Sequence, residues 1–537
     1  MKMAPPKRAL KFLRWFCRKD YLEEIEGDLL ELFEKQYEDS PVKAKRKFTW
    51  SVIKYLRTDF IKSFKNVNNS NSIAMFKNHV KIAWRSLKRQ PFFTSLNIFG
   101  LAIGMAGSLL VGLYIHDELS FDKMFADSER IYRINIDNRT AGEESHHAAV
   151  SGPLASVIRE DYPHQELVTR FKNEKSALIR KVGTVQNVKE NNVVGVDQTF
   201  FEMFGLDLLI GDKSTALNEA NTLILTRTAA EKHFGINEAV GQSMLLNNKD
   251  VFIVTGVIED LPKNSFLRNH GVFMSISSFE DADNIAWNNW NYPTFVKLLP
   301  TAKKADLDAY ASTVTERYLI PWAMSCMPGL TVESAREMNK TTGNYLNFVT
   351  INLTDIHLYS ADRDGEFSRN GAIQNVYILS LVGFFLILLA SINFMNLSTA
   401  YSLKRAKEVG IRKTLGSNRL GLIKQFLTEA GLMSFISLLC AIVVASLALP
   451  YFNALSGKSI VIPYTSFNFW LIMLITALIL GLFSGSYPAF LMSKFSPIRG
   501  LKGNSDGNGN GKVRNFLVIF QFAISVFLIV STLVVFE

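Results

Sequence analysis

Two Gly-Lys runs are the residues in this sequence whose types and spacing come nearest to a chemical site. In a phosphate-cradling loop, G-x-x-x-x-G-K-[ST], two glycines let backbone N–H groups surround the phosphates and the hydroxyl holds Mg²⁺. In "GKS", Gly457–Ser459, Phe452 stands where the first glycine belongs. In "GNGNGKV", Asp506 takes that position and Val513 replaces the hydroxyl. Neither run cradles a nucleotide, and the second reads as a flexible Gly/Asn linker, "GNSDGNGNG". The eight histidines, with His146 and His147 the only adjacent pair, lack the H-x-x-x-H spacing of a helical zinc site. No G-x-S-x-G nucleophile elbow occurs. Glu259–Asp260 and Asp362–Asp364 lie in turn-like contexts that suit solvated carboxylates. Cys17, Cys326 and Cys440 are too scattered for a disulfide framework. The sequence therefore predicts no catalytic residue, no metal and no cofactor bound by this chain.

The remaining chemistry is charge. Between two apolar segments lies "KRAKEVGIRKTLGSNRLGLIKQFLTEA", Lys404 to Ala430. Glu408 precedes Arg412 by four residues, a favourable helical pair. Gly410 and Gly416 permit close approach or a helix stop. Ser417 or Asn418 can cap a following helix, in which Leu420, Ile423, Leu427 and Ala430 form an apolar stripe. This pattern suits a short, stiff, charged element that seats in a groove of a cytoplasmic partner and passes its motion to an apolar helix.

The elements that position that stretch are set by hydropathy. The chain has 537 residues, 48% of them hydrophobic, with net charge +10 and 40 Phe, which we read as membrane-facing. Residues Phe92–Ile115, Val376–Ala400, Gly431–Phe452 and Phe467–Met492 each match the ~20 apolar residues needed to cross a bilayer. A fifth such stretch, Phe516–Phe536, echoes the first. None contains Asp, Glu, Lys or Arg, which argues against ion-coupled transport and for an energy source outside the chain. Lys and Arg gather before the first span, in the Lys404–Lys424 stretch and after the fourth span. This predicts a cytoplasmic N-terminus and charged stretch, with residues 117–373 outside. Because the basic residues sit at membrane edges, nucleic acid is not an expected partner.

Residues 1–65 read as a helical domain with a stripe of Leu22, Ile25, Leu29, Leu32 and Phe33. "NVNNSNS", Asn66–Ser72, reads as a linker before an interfacial helix carrying Phe76, Val80, Trp84 and Leu87 on one face. In the outer region, "RIYRINID" and "DVFIVTGVIED" read as strands, and "NTLILTRTAAEKHFG" as strand, turn and helix closed by Gly235. The aromatic run "AWNNWNYPTFVKLL" reads chiefly as buried sheet residues.

The charged stretch resembles the cytoplasmic loop of FtsX-like/MacB-like permeases of ATP-binding cassette systems, R-x-x-E-[IV]-G-[IL]-R-[KR]-x-x-G-[AS] followed by F-L-x-E. Arg405, Glu408, Val409, Gly410, Ile411, Arg412, Lys413, Gly416 and Ser417 match it. "GSYPAFLMSKFSPIRGLKG" is similar to the family's span exit, and "KFLRWFCRKDYLEEIEGDLLELF" to a prefix domain found in a subset of members. The resemblance implies an α-helical integral membrane protein with a large extracytoplasmic α+β domain and a small N-terminal helical cytoplasmic domain. The expected organisation is a prefix domain (1–65), linker and interfacial helix (66–91), first span (92–116) and MacB-like domain (117–373). An FtsX-like core (374–500) with its coupling loop (401–430), a Gly/Asn linker (501–514) and the first span of a truncated second half (515–537) follow. The implied function is the permease subunit of an export or extraction system in the bacterial inner membrane. The alternative is an FtsX-type mechanotransmitter acting on an envelope hydrolase. By the same resemblance Arg405, Glu408, Val409, Gly410, Ile411, Arg412, Lys413, Leu415, Gly416 and Ser417 contact a cytoplasmic ABC ATPase, which uses ATP-Mg. A dimeric or pseudo-dimeric permease, a periplasmic adaptor or envelope protein, and membrane lipid are the other expected partners.

Overall fold

The computed structural model describes residues 5–17, 19–37, 40–55, 69–327, 329, 331–494 and 511–536. Packing groups them into two compact units: 1–96 with 399–433 and 478–505, and 97–398 with 434–477 and 506–537.

In the first unit, α1 (Lys7–Phe16), α2 (Lys19–Tyr37) and α3 (Pro41–Lys54) enclose a small core of Leu13, Cys17, Ile25, Leu29, Phe33, Phe48 and Val52. The apolar residues of α2 recur at four-residue spacing, so one face is buried. Leu32, expected in that stripe, falls off it and is exposed. Next, α4 (Asn69–Arg89) begins inside the stretch expected as linker; residues 66–68 lie outside the described residues. Among its described side chains Ala83 and Leu87 are buried, whereas Trp84 is exposed beneath Lys88, whose Nζ lies 5.3 Å from the ring centroid; the side chain of Phe76, expected on the same face, lies outside those described.

Pro91, in the first helical position where its missing N–H matters least, opens α5 (Pro91–Leu119). The chain then enters an α+β domain. Its strands are β1 (Ile131–Thr140), β2 (Glu143–His147), β3 (Val150–Ser151), β4 (Gln165–Lys181), β5 (Val188–Val196), β6 (Leu208–Gly211) and β7 (Thr222–Thr226). They continue with β8 (Ser243–Leu246), β9 (Asp250–Ile258), β10 (Val272–Ser275), β11 (Trp290–Tyr292), β12 (Thr294–Leu298) and β13 (Tyr345–Asn352). Among the described residues the main sheet runs β13-β1-β12-β4-β5-β10-β7-β9-β6, with β2 beside β1 and β8 beside β4 and β9. The helices are α6 (Pro153–Asp161), α7 (Phe200–Phe204), α8 (Arg227–His233), α9 (Lys304–Val314), α10 (Ile320–Cys326), α11 (Val332–Thr342) and α12 (Leu353–Tyr359). The expected strand and helix form, but without the expected turn between them, since β7 passes directly into α8: the Thr226 hydroxyl caps the Ala229 N–H at 3.4 Å, and Gly235, at φ +95°, receives the chain.

The core of this domain corrects the membrane-facing reading of phenylalanine. Phe125, Phe171, Phe200, Phe201, Phe204, Phe266, Phe273, Phe295 and Phe367 form one buried cluster. Phe171 meets Phe295 edge-on at 5.2 Å and Phe367 at 5.3 Å, the arrangement that aromatic quadrupoles favour. Trp287, Tyr292 and Phe295 of the aromatic run are buried too.

Beside this core, Asp122 is almost fully buried, its Oδ1 accepts the Phe266 N–H at 2.8 Å, and its Oδ2 has no partner. Desolvation raises its pKa to about 7 from 3.8. Between those values the folded chain holds a proton that the unfolded chain has released, so stability falls as pH rises through that window. Asp122→Asn keeps an acceptor for Phe266, and Asn tolerates the left-handed backbone at φ 59°. Thermal midpoints of the wild type are therefore expected to fall more steeply between about pH 4 and 7 than those of Asp122→Asn. An equal slope in both proteins would count against this assignment.

The remaining helices are α13 (Ile373–Thr414), α14 (Arg419–Ser456), α15 (Phe467–Lys494) and α16 (Gly511–Phe536). Among the described residues four segments are long and apolar enough to cross a membrane: Pro91–Leu119, Ile373–Tyr401, Arg419–Ser456 and Phe467–Ser493. In α16 the apolar stretch Asn515–Val530 is shorter. Residues 501–510 of the expected Gly/Asn linker lie outside the described residues, and 511–514 already belong to α16. Small residues let α5 and α13 approach closely: a Cβ on Gly104 would sit 2.5 Å from that of Ala390.

Candidate coupling element

The stretch expected as a loop over 401–430 is mostly helix. α13 continues past its apolar part to Thr414, and α14 begins at Arg419, leaving 415–418 as the only non-helical residues. Gly416 makes this sharp turn possible. At φ +94° it occupies the left-handed position after the helix, where its N–H donates to Lys413 O at 3.1 Å and the Ser417 N–H to Arg412 O at 3.0 Å. This is the paired closure that satisfies the last carbonyls of a helix. On the far side the Asn418 side chain, not that of Ser417, accepts the Gly421 N–H at 2.7 Å and caps α14.

The two helix ends are braced against each other and against the end of α15. Arg412 donates to Glu408 at 2.7 Å, one turn back as the spacing predicted, and to Gln425 of α14 at 2.9 Å. Arg405 reaches buried Glu429 at 2.9 and 3.0 Å, while the Ser86 hydroxyl of α4 donates to the same carboxylate at 2.7 Å. The Arg405 guanidinium also lies 5.3 Å from the centre of the Phe426 ring. Val409 is buried with Leu422, Phe426, Ala489 and Met492. Lys413 Nζ donates to Ser493 O at 2.8 Å, placing a cation at the C-terminal end of α15 where the helix dipole favours it. Gly410 is buried within the helix.

Exposure separates these residues by role. Arg405, Val409 and Gly410 face inward, whereas Ile411 is 45% and Leu415 81% exposed. Leu420, expected in the buried stripe, is 68% exposed instead. At the start of α14 the buried positions are Leu422, Gln425, Phe426, Glu429 and Ala430, a face rotated slightly from the expected stripe, of which Ala430 is buried and Ile423 and Leu427 are partly buried against it. Sequence reasoning missed Glu429, Gln425, Ser86 and Ser493 as partners. Glu429 alone had a signal, as the acid of the F-L-x-E pattern.

A braced helical hairpin with an exposed apolar turn thus lies in the same chain as long apolar helices and an α+β domain. Residues 94–316 match the MacB-like periplasmic core domain and 380–497 the FtsX-like permease C-terminal domain. The chain belongs to the MacB-like, FtsX-like ABC transporter permeases. It is 21% identical over 380 residues to the macrolide export ATP-binding/permease protein MacB 1 of Yersinia pestis, covering 68% of this chain and 51% of that protein. Over 173 residues it is 27% identical to the uncharacterized ABC transporter permease YknZ of Bacillus subtilis, covering 32% of this chain and 40% of that one. The chain spans about half the length of the MacB relatives it matches. The crystal structure of the periplasmic region of MacB from Actinobacillus actinomycetemcomitans aligns at 16% identity and TM-score 0.27, over 44% of this chain and 92% of that one.

Proposed function

We propose that this chain is the membrane subunit of an ATP-driven export or extraction system in a bacterial cytoplasmic membrane. In this reading the N-terminus and the 401–430 hairpin are cytoplasmic and residues 117–373 are extracytoplasmic. The hairpin tip docks on a separate nucleotide-binding subunit, where ATP-Mg is bound and hydrolysed, and the braced helices carry its motion to the outer domain. The observation that carries this reading is the tip itself. Ile411, Leu415 and Leu420 are exposed apolar side chains on and beside a turn whose backbone is closed by hydrogen bonds and whose flanking Arg412 and Lys413 are held by Gln425 and Ser493. An apolar projection held rigidly in water is the form of one half of an interface. The test is co-purification with the ATPase encoded nearest this gene, and failure of that protein to bind would overturn the docking role.

Orientation has a native reporter. Cys326 is exposed in the α+β domain, whereas Cys17 is buried and Cys440 partly so. An impermeant maleimide is expected to label intact spheroplasts at Cys326, with labelling lost in Cys326→Ser. Labelling only after lysis would reverse the orientation.

A further inference from the structure

A polar cavity of about 460 Å³ lies where the last turn of α5 meets the α14–α15 connection and the chain flanking α12. Its two carboxylates are already matched. Lys458 Nζ lies 2.5 Å from Glu118 Oε1 and also bonds Asp117, while His357 Nε2 lies 2.9 Å from Glu118 Oε2. The same space is lined by Lys263, Arg268 and Arg369, and among the described residues none of these three forms an ion pair. Arg268 is fixed by hydrogen bonds to Ser265 O at 3.3 Å and Arg369 O at 3.0 Å, with its guanidinium 5.2 Å from the centre of the Phe121 ring. Those bonds use two of its five N–H donors. His357, 5% exposed, keeps Nδ1 without a partner. A lined cavity that sets four cationic side chains, Lys263, Arg268, Arg369 and Lys458, against two carboxylates is built for an anion, and guanidinium groups suit phosphate oxygens best.

Position decides which phosphate. The cavity begins at Tyr114 and Glu118, at the end of a helix long enough to cross a bilayer. One turn into α13 from Asn375, which lines the cavity, Tyr377, Ile378 and Leu381 are exposed and offer acyl chains an apolar flank. We propose that this cavity binds the phosphate of an anionic membrane lipid, with Arg268, Arg369 and Lys263 as its ligands. The proposal rests on the reading that α5 spans a membrane, which puts the cavity at headgroup level.

Native mass spectrometry of the full chain with phosphatidylglycerol and phosphatidylcholine tests it. Phosphatidylglycerol adducts are expected to survive activation in the wild type. They should weaken about tenfold or more for each arginine removed in Arg268→Gln/Arg369→Gln, as expected for a charge-assisted bond. Lys263→Gln/Arg369→Gln alters only exposed side chains and guards against misfolding; it should weaken retention in the same sense. Lys304→Gln, on the domain surface, should change nothing. Equal retention of both lipids, or unchanged retention in both double variants, overturns the proposal. If millimolar inorganic phosphate displaces the lipid and binds as tightly alone, the anion site stands and lipid as its source is overturned. Cys326 labelling separates the two readings: external labelling without lipid retention sinks the cavity proposal and leaves the permease reading intact.

Discussion

Leu415→Asp is expected to raise the dissociation constant for the partner ATPase about thirtyfold while leaving the permease folded. Leu415 is the most exposed apolar residue of the turn, and the bonds that shape the turn involve backbone atoms of Arg412, Lys413, Gly416 and Ser417. An exposed side chain outside those bonds changes stability by only about half a kcal/mol. Placed at the centre of an interface, its loss costs about 2 kcal/mol or more, which is the thirtyfold change. Ile411→Asp should act in the same direction and the double variant more strongly. Titration of the purified ATPase into the permease in nanodiscs gives the affinity, and the thermal midpoint of each variant gives the control. An unchanged affinity for the double variant would leave the hairpin without a docking role. Gly410, by contrast, is buried, so a bulky residue there would report on helix packing and not on docking.

The second large effect concerns stability. Glu429→Ala is expected to lower it by about 3–5 kcal/mol, because a buried cation is left without its counter-charge. Arg405, 13% exposed at its side chain, loses two hydrogen bonds, and Ser86 loses its acceptor. Glu408 lies 3.8 Å from Arg405 and compensates only weakly. Arg405→Met/Glu429→Leu should recover most of the loss, since replacing both members of a buried pair by apolar groups is often nearly neutral. A thermodynamic cycle over Arg405→Met, Glu429→Leu and the double measures the coupling. Additive effects would show that the two residues do not act as a pair.

Local sequence carried much of this element because its determinants are local. The Glu408–Arg412 spacing and Gly416 at the stop each act within one helical turn, and both are realised. The rotation of the α14 face was not legible. Periodicity marks Leu420 and Leu422 equally as apolar, and only packing against Val409, Ala489 and Met492 selects Leu422. The same limit explains Leu32 in α2. Phenylalanine misled for a related reason: composition does not say whether an aromatic ring meets lipid or other rings, and here one large cluster lies inside the α+β domain. Nor could spacing pair Arg405 with Glu429 or bring Lys458 to Glu118, contacts made by residues 24 and 340 positions apart.

The α+β domain begins and ends on neighbouring strands. β1 and β13 run antiparallel, with Tyr132 opposite Asn352 and Ile134 opposite Thr350. Where they meet, Asn352 Nδ2 lies 2.9 to 3.3 Å from the carbonyl oxygens of Ser128, Glu129 and Ile131. The segment leading in from α5 and the one leading out through α12 to α13 thus leave the sheet side by side. Drawing these leads apart would load the ladder as a zipper, one rung after another, and the Asn352 clasp would take the strain first. Tugging both the same way would load neither rung and would haul the domain as one body. The domain therefore hangs from a hinge that yields to spreading and resists towing.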